Sequence, residues 1–329
     1  MLAPIPVVLV EYNREWPTSA AQYGERLLQS GAGFISVHHI GSTSIPGIVA
    51  KPIIDLMPVV SDEVALDRGR SAVEELGYVW HGACGIEGRR YCTLTDAAGA
   101  RIAQLHIFAE ASSHVRRHLA FRDYLRTHAD VAMAYETEKR RAKALHPDNS
   151  HSYSDEKSIW IREIEHKALV WLMAMQMQIR DAIPGDAEQA CDVMRRSIIE
   201  LCVPDHRNDP AILNRWLANK KLEINAAWIA QPDASMLLAI EGDAVLAVGG
   251  VTDAGEITLN YVSPDARFQG VTKALLAALE ARAKERGNRS CALLSIQTAY
   301  RFYLAAGYAD DGAPINKVGS PGQPMAKEL

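Results

Sequence analysis

The hydrophobic and polar positions of this 329-residue chain read as a succession of strands and helices that breaks once, between residues 173 and 178. Before the break, the pattern predicts a helix over 18–30, strands over 34–40 and 53–59, and a helix closing at 73–77. Two more strands, 91–95 and 102–109, are joined across Asp96-Ala97-Ala98-Gly99. Helical spacing then runs from 118 to 145, with Leu119, Tyr124, Leu125, Ala132 and Tyr135 inward, until His146-Pro147-Asp148-Asn149-Ser150 interrupts it. Ser154 is placed as the N-cap of a last long helix reaching about Met175, with Ile159, Trp160, Ile164, Leu169 and Leu172 inward. After the break come a strand over 179–183, helices over 187–201 and 209–220, and strands over 226–231, 235–241, 244–252 and 256–262. The expected organisation is α/β (α+β), with one domain over 1–175 and a second over 178–329.

One junction in the second half carries candidate chemistry. The alternating run Ile257, Leu259, Tyr261 stops at Ser263-Pro264-Asp265, and a helix opens through Gly270 with Ala274, Leu275, Leu276 and Leu279 at helical spacing. A strand, a turn and a helix N-terminus present unpaired N–H groups and the positive end of a helix dipole, and Gly270 lets an anion approach the main chain. A diphosphate suits such a place.

The letters of that junction, V-S-P-D-A-R-F-Q-G-V-T-K-A-L-L, resemble the acyl-CoA signature of the GNAT superfamily of N-acetyltransferases. Arg267 and Gly270 match its pattern, and Thr272 stands where a smaller residue is usual. A second block, S-I-Q-T-A-Y-R-F-Y-L-A-A-G-Y over 295–308, resembles the closing helix of the family through Ala299, Tyr303, Gly307 and Tyr308. The Asn often found seven residues before that tyrosine is Ile296 here. The resemblance implies a mixed central sheet flanked by helices and acetyl-CoA as the cofactor, held by Asn260, Tyr261 and Val262 of the splayed strand and by Arg267, Phe268, Gln269, Gly270, Val271, Thr272 and Lys273. It further implies that a free amine attacks the thioester directly and that Tyr303 is the general acid toward the departing thiolate. Glu256, on the same strand, is the candidate base. Acceptor specificity is expected around 200–207, where Asp205 and His206 either touch substrate or cap a turn.

Composition narrows the setting. Hydrophobic residues make up 48% and charged residues 23%, as in a soluble globular protein, and the net charge of -5 gives no general nucleic-acid footprint. The five scattered cysteines form no C-x-x-C pair and read as reduced thiols of a cytoplasmic protein. No signal peptide or membrane span is expected; the apolar patch over 168–177 is too short to cross a bilayer.

In the first half, Gly41-Ser42 after one strand and Asp55 on the next resemble the nucleotidyltransferase arrangement, in which Gly-Ser holds a triphosphate and acidic residues bind magnesium. Phosphoryl transfer of that kind uses two or three carboxylates, and the position two beyond Asp55 is Met57. The blocks H-I-G-S-T-S-I-P-G, A-K-P-I-I-D, L-H-I-F and F-R-D-Y-L-R resemble the GrpB-like family, a nucleotidyltransferase-fold group, over residues 7–172. That resemblance implies a mixed sheet with helices and a ligand site at Gly41, Ser42, Lys51, Asp55 and His106, with Asp55 holding a metal alone or with imidazoles; His38, His39 and His106 either converge with Asp55 on a cation or satisfy core hydrogen bonds. A nucleotide and Mg2+ are the implied ligands. Lys51 and Lys157 are the lysines expected at phosphate, and Arg89, Arg90, Arg116, Arg117 and Arg122 crowd the same region either as anion readers or as a solvated face.

The expected whole is an acyl-CoA-dependent N-acyltransferase acting on a small-molecule amine, fused to a domain that binds or modifies a nucleotide or substrate. The alternative is an inactive N-terminal binding module beside a C-terminal half that acetylates protein lysines or N-terminal amines. The sequence leaves monomer and homodimer both open.

Overall fold

The computed structural model describes residues 3–316 and 321–329 and separates into two compact units, 1–172 and 173–329. Both are mixed α/β arrangements built on mixed sheets.

The first unit opens with helix α1 (Trp16–Gln29), which buries Trp16, Ala20 and Leu27. Strands β1 (Ser36–Ile40) and β2 (Ile54–Val60) follow, then α2 (Arg70–Glu75), β3 (Val79–Trp80), β4 (Arg90–Thr95) and β5 (Arg101–Ala109). The sheet order is β1-β2-β5-β4-β3, with β2 and β5 parallel and every other neighbour antiparallel. Leu56, Leu105, Ile107 and Ala103 are fully buried and join α1 and α2 in one core. Four helices come next: α3 (Ser113–Thr127), α4 (Ala129–Leu145), α5 (Ser150–Glu156) and α6 (Ser158–Gln176).

Two expectations change here. The single helix read over 118–145 is two helices, because the Thr127 hydroxyl and the His128 ring reach back to the Asp123 and Tyr124 carbonyls and end α3 without any Pro or Gly. The N-cap falls on Asn149, whose side chain accepts from the His151 and Ser152 amides; Ser154 lies inside α5, donating to the Ser150 carbonyl. The long helix therefore starts later, and Ile159 is 72% exposed instead of inward.

The second unit holds β6 (Met177–Asp181), α7 (Ala187–Arg196), α8 (Val203–His206), α9 (Pro210–Leu217), α10 (Leu222–Ile229), β7 (Ala234–Glu241), β8 (Ala244–Thr252) and β9 (Glu256–Val262). It continues through α11 (Val271–Glu285), β10 (Ser290–Ser295), α12 (Gln297–Ala305), β11 (Ala309–Asp310), β12 (Ile315–Asn316) and β13 (Pro321–Glu328). Its sheet runs β11-β13-β10-β9-β8-β7-β6, with β12 on β13 and only the β9–β10 pair parallel. Leu275, Leu276 and Leu279 of α11 pack with Leu237, Ala247, Ile257 and Leu293 of the sheet; α7 covers Met236, Leu238 and Val248.

The strand expected over 226–231 is instead the end of α10. A short apolar run such as Ala226-Ala227-Trp228-Ile229 has no periodicity that separates a strand from a buried helix turn. The helix expected to reach Leu201 passes into a single wide π-helical turn at Ser197–Leu201.

Candidate functional sites

The site of the second unit begins with a parting of strands. β9 and β10 pair only at Glu256–Ala292 and Ile257–Leu293. Beyond those positions the β10-facing edge of residues 258–262 has no strand partner among the described residues, although the opposite edge stays paired with β8. Such an edge offers a row of main-chain N–H and C=O groups to a guest.

Side chains around the opening are ordered by burial. Asn260 Nδ2 donates to the Tyr303 hydroxyl at 3.2 Å, while Asn260 Oδ1 is buried and lacks a hydrogen-bond partner among the described residues. Tyr303 is 7% exposed and packs edge-on against Phe302 and Tyr308, at ring separations of 5.2 and 5.6 Å. Burial pushes its phenol up to about 12, with the Asn260 hydrogen bond pulling the other way, so the hydroxyl keeps its proton at neutral pH. Because the Tyr303 oxygen already accepts from Asn260, its own proton is left to donate. Tyr261 accepts from Trp216 Nε1 at 3.3 Å, and burial likewise pushes its phenol up to about 12.

At the junction, Phe268 (φ +63°) and Gly270 (φ +81°) both take the left-handed conformation, which turns the chain sharply into α11. A Cβ is costly there, so Gly at the N-cap is the residue that conformation favours. No side chain caps α11, and its first amides, Val271, Thr272 and Lys273, precede the first helical bond from Ala274 to Gly270. Arg267 lays its guanidinium 4.4 Å from the exposed Phe268 ring. Gln269 donates to the Asp265 carbonyl at 3.0 Å, and its Oε1 is buried without a partner among the described residues. Orphaned buried oxygens at Asn260 and Gln269, an uncapped helix start and an unpaired strand edge together fit an acyl-CoA thioester carrying amides and a diphosphate.

A cavity of about 390 Å³ lies at the parted strands, walled by Trp216 and Lys220 before α10, Trp228 on α10, Thr258 and Tyr261 on β9, and Leu294 on β10. Glu256 lines it and is its one carboxylate among the described residues. Lys220 is 5% exposed, with its ammonium 4.9 Å from the Trp228 ring and 5.6 Å from that of Tyr261. Trp216, Lys220 and Trp228 were not foreseen in the sequence. Asp205 and His206 do not line this cavity. The buried Asp205 carboxylate accepts from the Gln297 amide at 2.7 Å, the Thr298 amide at 3.2 Å and the Thr298 hydroxyl, capping α12, which carries Tyr303. His206, fully buried, bonds the Ile198 carbonyl and the Asn208 amide and ties a turn.

In the first unit, Gly41 (φ +68°) ends β1 and a three-residue 3-10 turn, Ser42–Ser44, follows; this is too short to supply a helix dipole. A Cβ on Gly41 would fall onto the Asp55 carboxylate, so the glycine lets β2 bring Asp55 against the turn. Asp55 Oδ1 accepts from Gln104 Nε2 and lies 3.3 Å from His106 Nε2. Burial pushes the Asp55 carboxyl up, but the His106 hydrogen bond and charge, with Gln104 and Lys51, outweigh it and hold the group below the usual carboxylate range. Gln104 and His106 alternate along the otherwise apolar β5, a signal in the sequence that marks both as facing a site. Tyr91 donates to Gln104 at 2.6 Å.

The expected convergence of histidines on a cation is not what the fold provides. His38 bonds the Ser36 hydroxyl at 3.1 Å and His39 that of Thr43 at 2.9 Å, on opposite sides of β1. Met57, at the place of a second acid, is fully buried in a small core with Ile40 and Phe108. Among the described residues, no three His, Cys, Asp or Glu side chains come together in a way that could hold a metal ion. Asp55 is the one carboxylate of the expected set at this place among the described residues, and no step through magnesium is derived. The arginines are committed elsewhere: Arg89 to the Ala83 and Cys84 carbonyls, Arg90 to Asp67, Arg117 to Glu165, and Arg122 to Asp123 and the His39 carbonyl.

All five cysteines are free, and no helix among the described residues is long and apolar enough to cross a membrane.

Known proteins resemble the two halves separately. The family model described as GrpB protein matches residues 6–167, and that described as acetyltransferase (GNAT) domain matches residues 213–329. The Bacillus subtilis UPF0157 protein YqkA is 37% identical over 166 residues, which span 50% of this chain and 48% of YqkA, so the chain covers about half the length of that relative. The Streptomyces coelicolor UPF0157 protein SCO7215 is 31% identical over 164 residues, 50% of this chain and 85% of the relative. The crystal structure of the conserved protein GrpB from Enterococcus faecalis is 34% identical, covers 49% of this chain and 96% of its own, and superposes with a TM-score of 0.45. The chain thus belongs to the GrpB family through residues 6–167 and carries a GNAT acetyltransferase domain at residues 213–329.

Proposed function

We propose that the second unit is an acetyl-CoA-dependent N-acetyltransferase whose acceptor is a small-molecule amine. The observation that carries this reading is the parting of β9 from β10 beside Asn260, whose amide donates to the Tyr303 hydroxyl and leaves the phenol proton to give. When bound, the thioester supplies an activated acyl group.

The edge amides of residues 258–262 orient the acyl carbonyl and the amide-bearing arm that follows it. Asn260, Tyr261 and Val262 form that edge, and Arg267, Phe268, Gln269, Gly270, Val271, Thr272 and Lys273 hold the diphosphate on the turn and first amides of α11. Tyr303 places its proton toward the departing sulfur. Asn260 stabilises the phenol oxygen as that proton shifts, which eases donation from a group that burial makes a weak acid.

The acceptor enters the walled cavity. Its enclosure by Trp216 and Trp228 favours a small molecule over a protein chain. Glu256 takes the amine proton through cavity water, since four residues of strand, about 13 Å, separate it from Asn260. Thiol release from acetyl-CoA, screened against amines, amino acids and aminoglycosides, tests the reading; no release with any acceptor and no acetyl-CoA binding would end it.

The first unit is proposed as a binding module that serves the second, because its single retained carboxylate is already engaged by Gln104 and His106.

A further inference from the structure

We infer that the first unit binds a phosphoryl dianion between Lys51 and Lys157 without a divalent cation. The two ammonium groups lie on one tyrosine: Lys51 Nζ is 5.6 Å and Lys157 Nζ 4.7 Å from the Tyr153 ring centre. Lys157 is also 5.7 Å from the Tyr135 ring and donates to its hydroxyl at 3.5 Å, and Ser42 Oγ donates to that same hydroxyl at 3.4 Å. Residues from β1's end, the β2 approach, α4 and α5 thus meet at one place.

Charge at that place does not balance. Lys51 and Lys157 are half-buried, and among the described residues neither forms an ion pair. One further cation, Arg101, stands close by and donates to the Tyr91 hydroxyl at 3.4 Å; the fully buried Lys139, which donates to the Val49 carbonyl, is pushed down to about 7 by burial and the Lys157 charge against the pull of Glu136, and so adds little to the imbalance at neutral pH. Asp55 is the acid whose charge both lysines feel, and its Oδ1 already accepts from Gln104 and His106. Burial and the Lys157 charge hold Lys51 below its ordinary range, whereas at Lys157 the burial penalty is outweighed by Tyr135, Tyr153 and Asp55, which hold it above its own. Aromatic faces attract an ammonium through a quadrupole but carry no compensating charge.

The missing counter-charge is therefore a ligand's. Two lysines present compact, rotatable donors that suit a tetrahedral oxyanion, and a phosphate monoester near two negative charges balances both. The Ser42 hydroxyl adds a donor. Where magnesium-dependent phosphoryl sites recruit carboxylates to hold the ion that neutralises phosphate, this one has Met57 at the place of a second acid and an Asp55 whose Oδ1 is engaged by Gln104 and His106, and the lysines do that work directly.

Isothermal titration of the full chain with inorganic phosphate and with pyrophosphate, first in EDTA and then in magnesium, tests this. Saturable binding is expected in EDTA and should change less than twofold with magnesium. Lys157→Gln and, as a second variant should that one fail to fold, Lys51→Gln should each weaken it at least tenfold. Lys167→Gln, an exposed lysine paired with Glu163 on α6, should leave it unchanged. The inference is overturned by no binding of either anion, by binding that appears only with magnesium, by equal affinity in the folded lysine variants, or by succinate binding as tightly as phosphate. Acyl transfer in the second unit is a separate question, and thiol release in the control Lys167→Gln should match the wild type.

Discussion

In the second unit the groups proposed to face a ligand are largely main-chain: the open edge of β9 and the uncapped start of α11, tuned by Asn260 and Tyr303. In the first unit they are side chains, Lys51, Lys157, Asp55, Gln104 and His106, brought from separate strands and helices onto one spot. A main-chain site follows from local geometry, so a short motif announces it. A side-chain site exists only once the whole domain has folded, and its charge balance depends on partners that no local pattern reveals.

The sharpest way to break this contrast is to remove the few side chains on which the main-chain site depends. Tyr303→Phe should slow acetyl transfer by roughly ten- to ten-thousandfold while leaving the KM for acetyl-CoA nearly unchanged. Asn260→Ala should move in the same direction. Steady-state rates equal to wild type for Tyr303→Phe would remove the phenol from the reaction.

Acid should weaken the side-chain site's domain first. Burial pushes His39 down to about 4 and His118 down to about 3, against 6.5 for the free group. Above pH 6.5 both are neutral folded and unfolded. As pH falls toward 4, the unfolded chain takes up protons that the folded chain refuses, so stability drops by about 1.4 kcal/mol per pH unit for each such histidine. Urea unfolding of wild type against His118→Gln between pH 7 and 4.5 measures this; parallel profiles would contradict it.

Gly41→Ala sharpens the same side. A Cβ there meets the Asp55 carboxylate at a backbone angle of +68°, and the expected loss is about 1–3 kcal/mol. An unchanged unfolding midpoint would show that the turn and β2 are not pressed together. The smallest effect is expected at Asp205→Ala, which uncaps α12 at a cost of about 0.5–2 kcal/mol and slows turnover through a loosened Tyr303. Acetyl-CoA binding should survive it, so a lost binding signal would point to a direct ligand contact instead.

Much of the fold was legible because its strands are short apolar runs, near-continuous in β2, β7 and β8 and alternating over part of β5 and β9, and Gly-containing turns separate several of them. What escaped had physical reasons. The apolar run at Ala226–Ile229 lies in a helix whose surroundings are apolar, and the end of α3 is made by side chains bonding back to carbonyls, which leaves no Pro or Gly as a marker. At the sites, Gly270 and Tyr303 stood out by motif, and Lys51 and Asp55 by block. The hydrogen bond from Asn260 to Tyr303, the cavity wall of Trp216 and Trp228, and the shared Tyr153 ring depend on tertiary contacts between distant segments. Asp205 and His206 read as substrate contacts or caps from their letters alone; their carbonyl and amide partners decide for caps.

Amide hydrogen exchange with and without acetyl-CoA reaches the central claim most directly. The account predicts slowed exchange at residues 258–262 on β9 and at residues 268–273 of the junction, with residues 42–51 of the first unit unaffected. Saturating acetyl-CoA that leaves both of those stretches exchanging as in the free protein would contradict it.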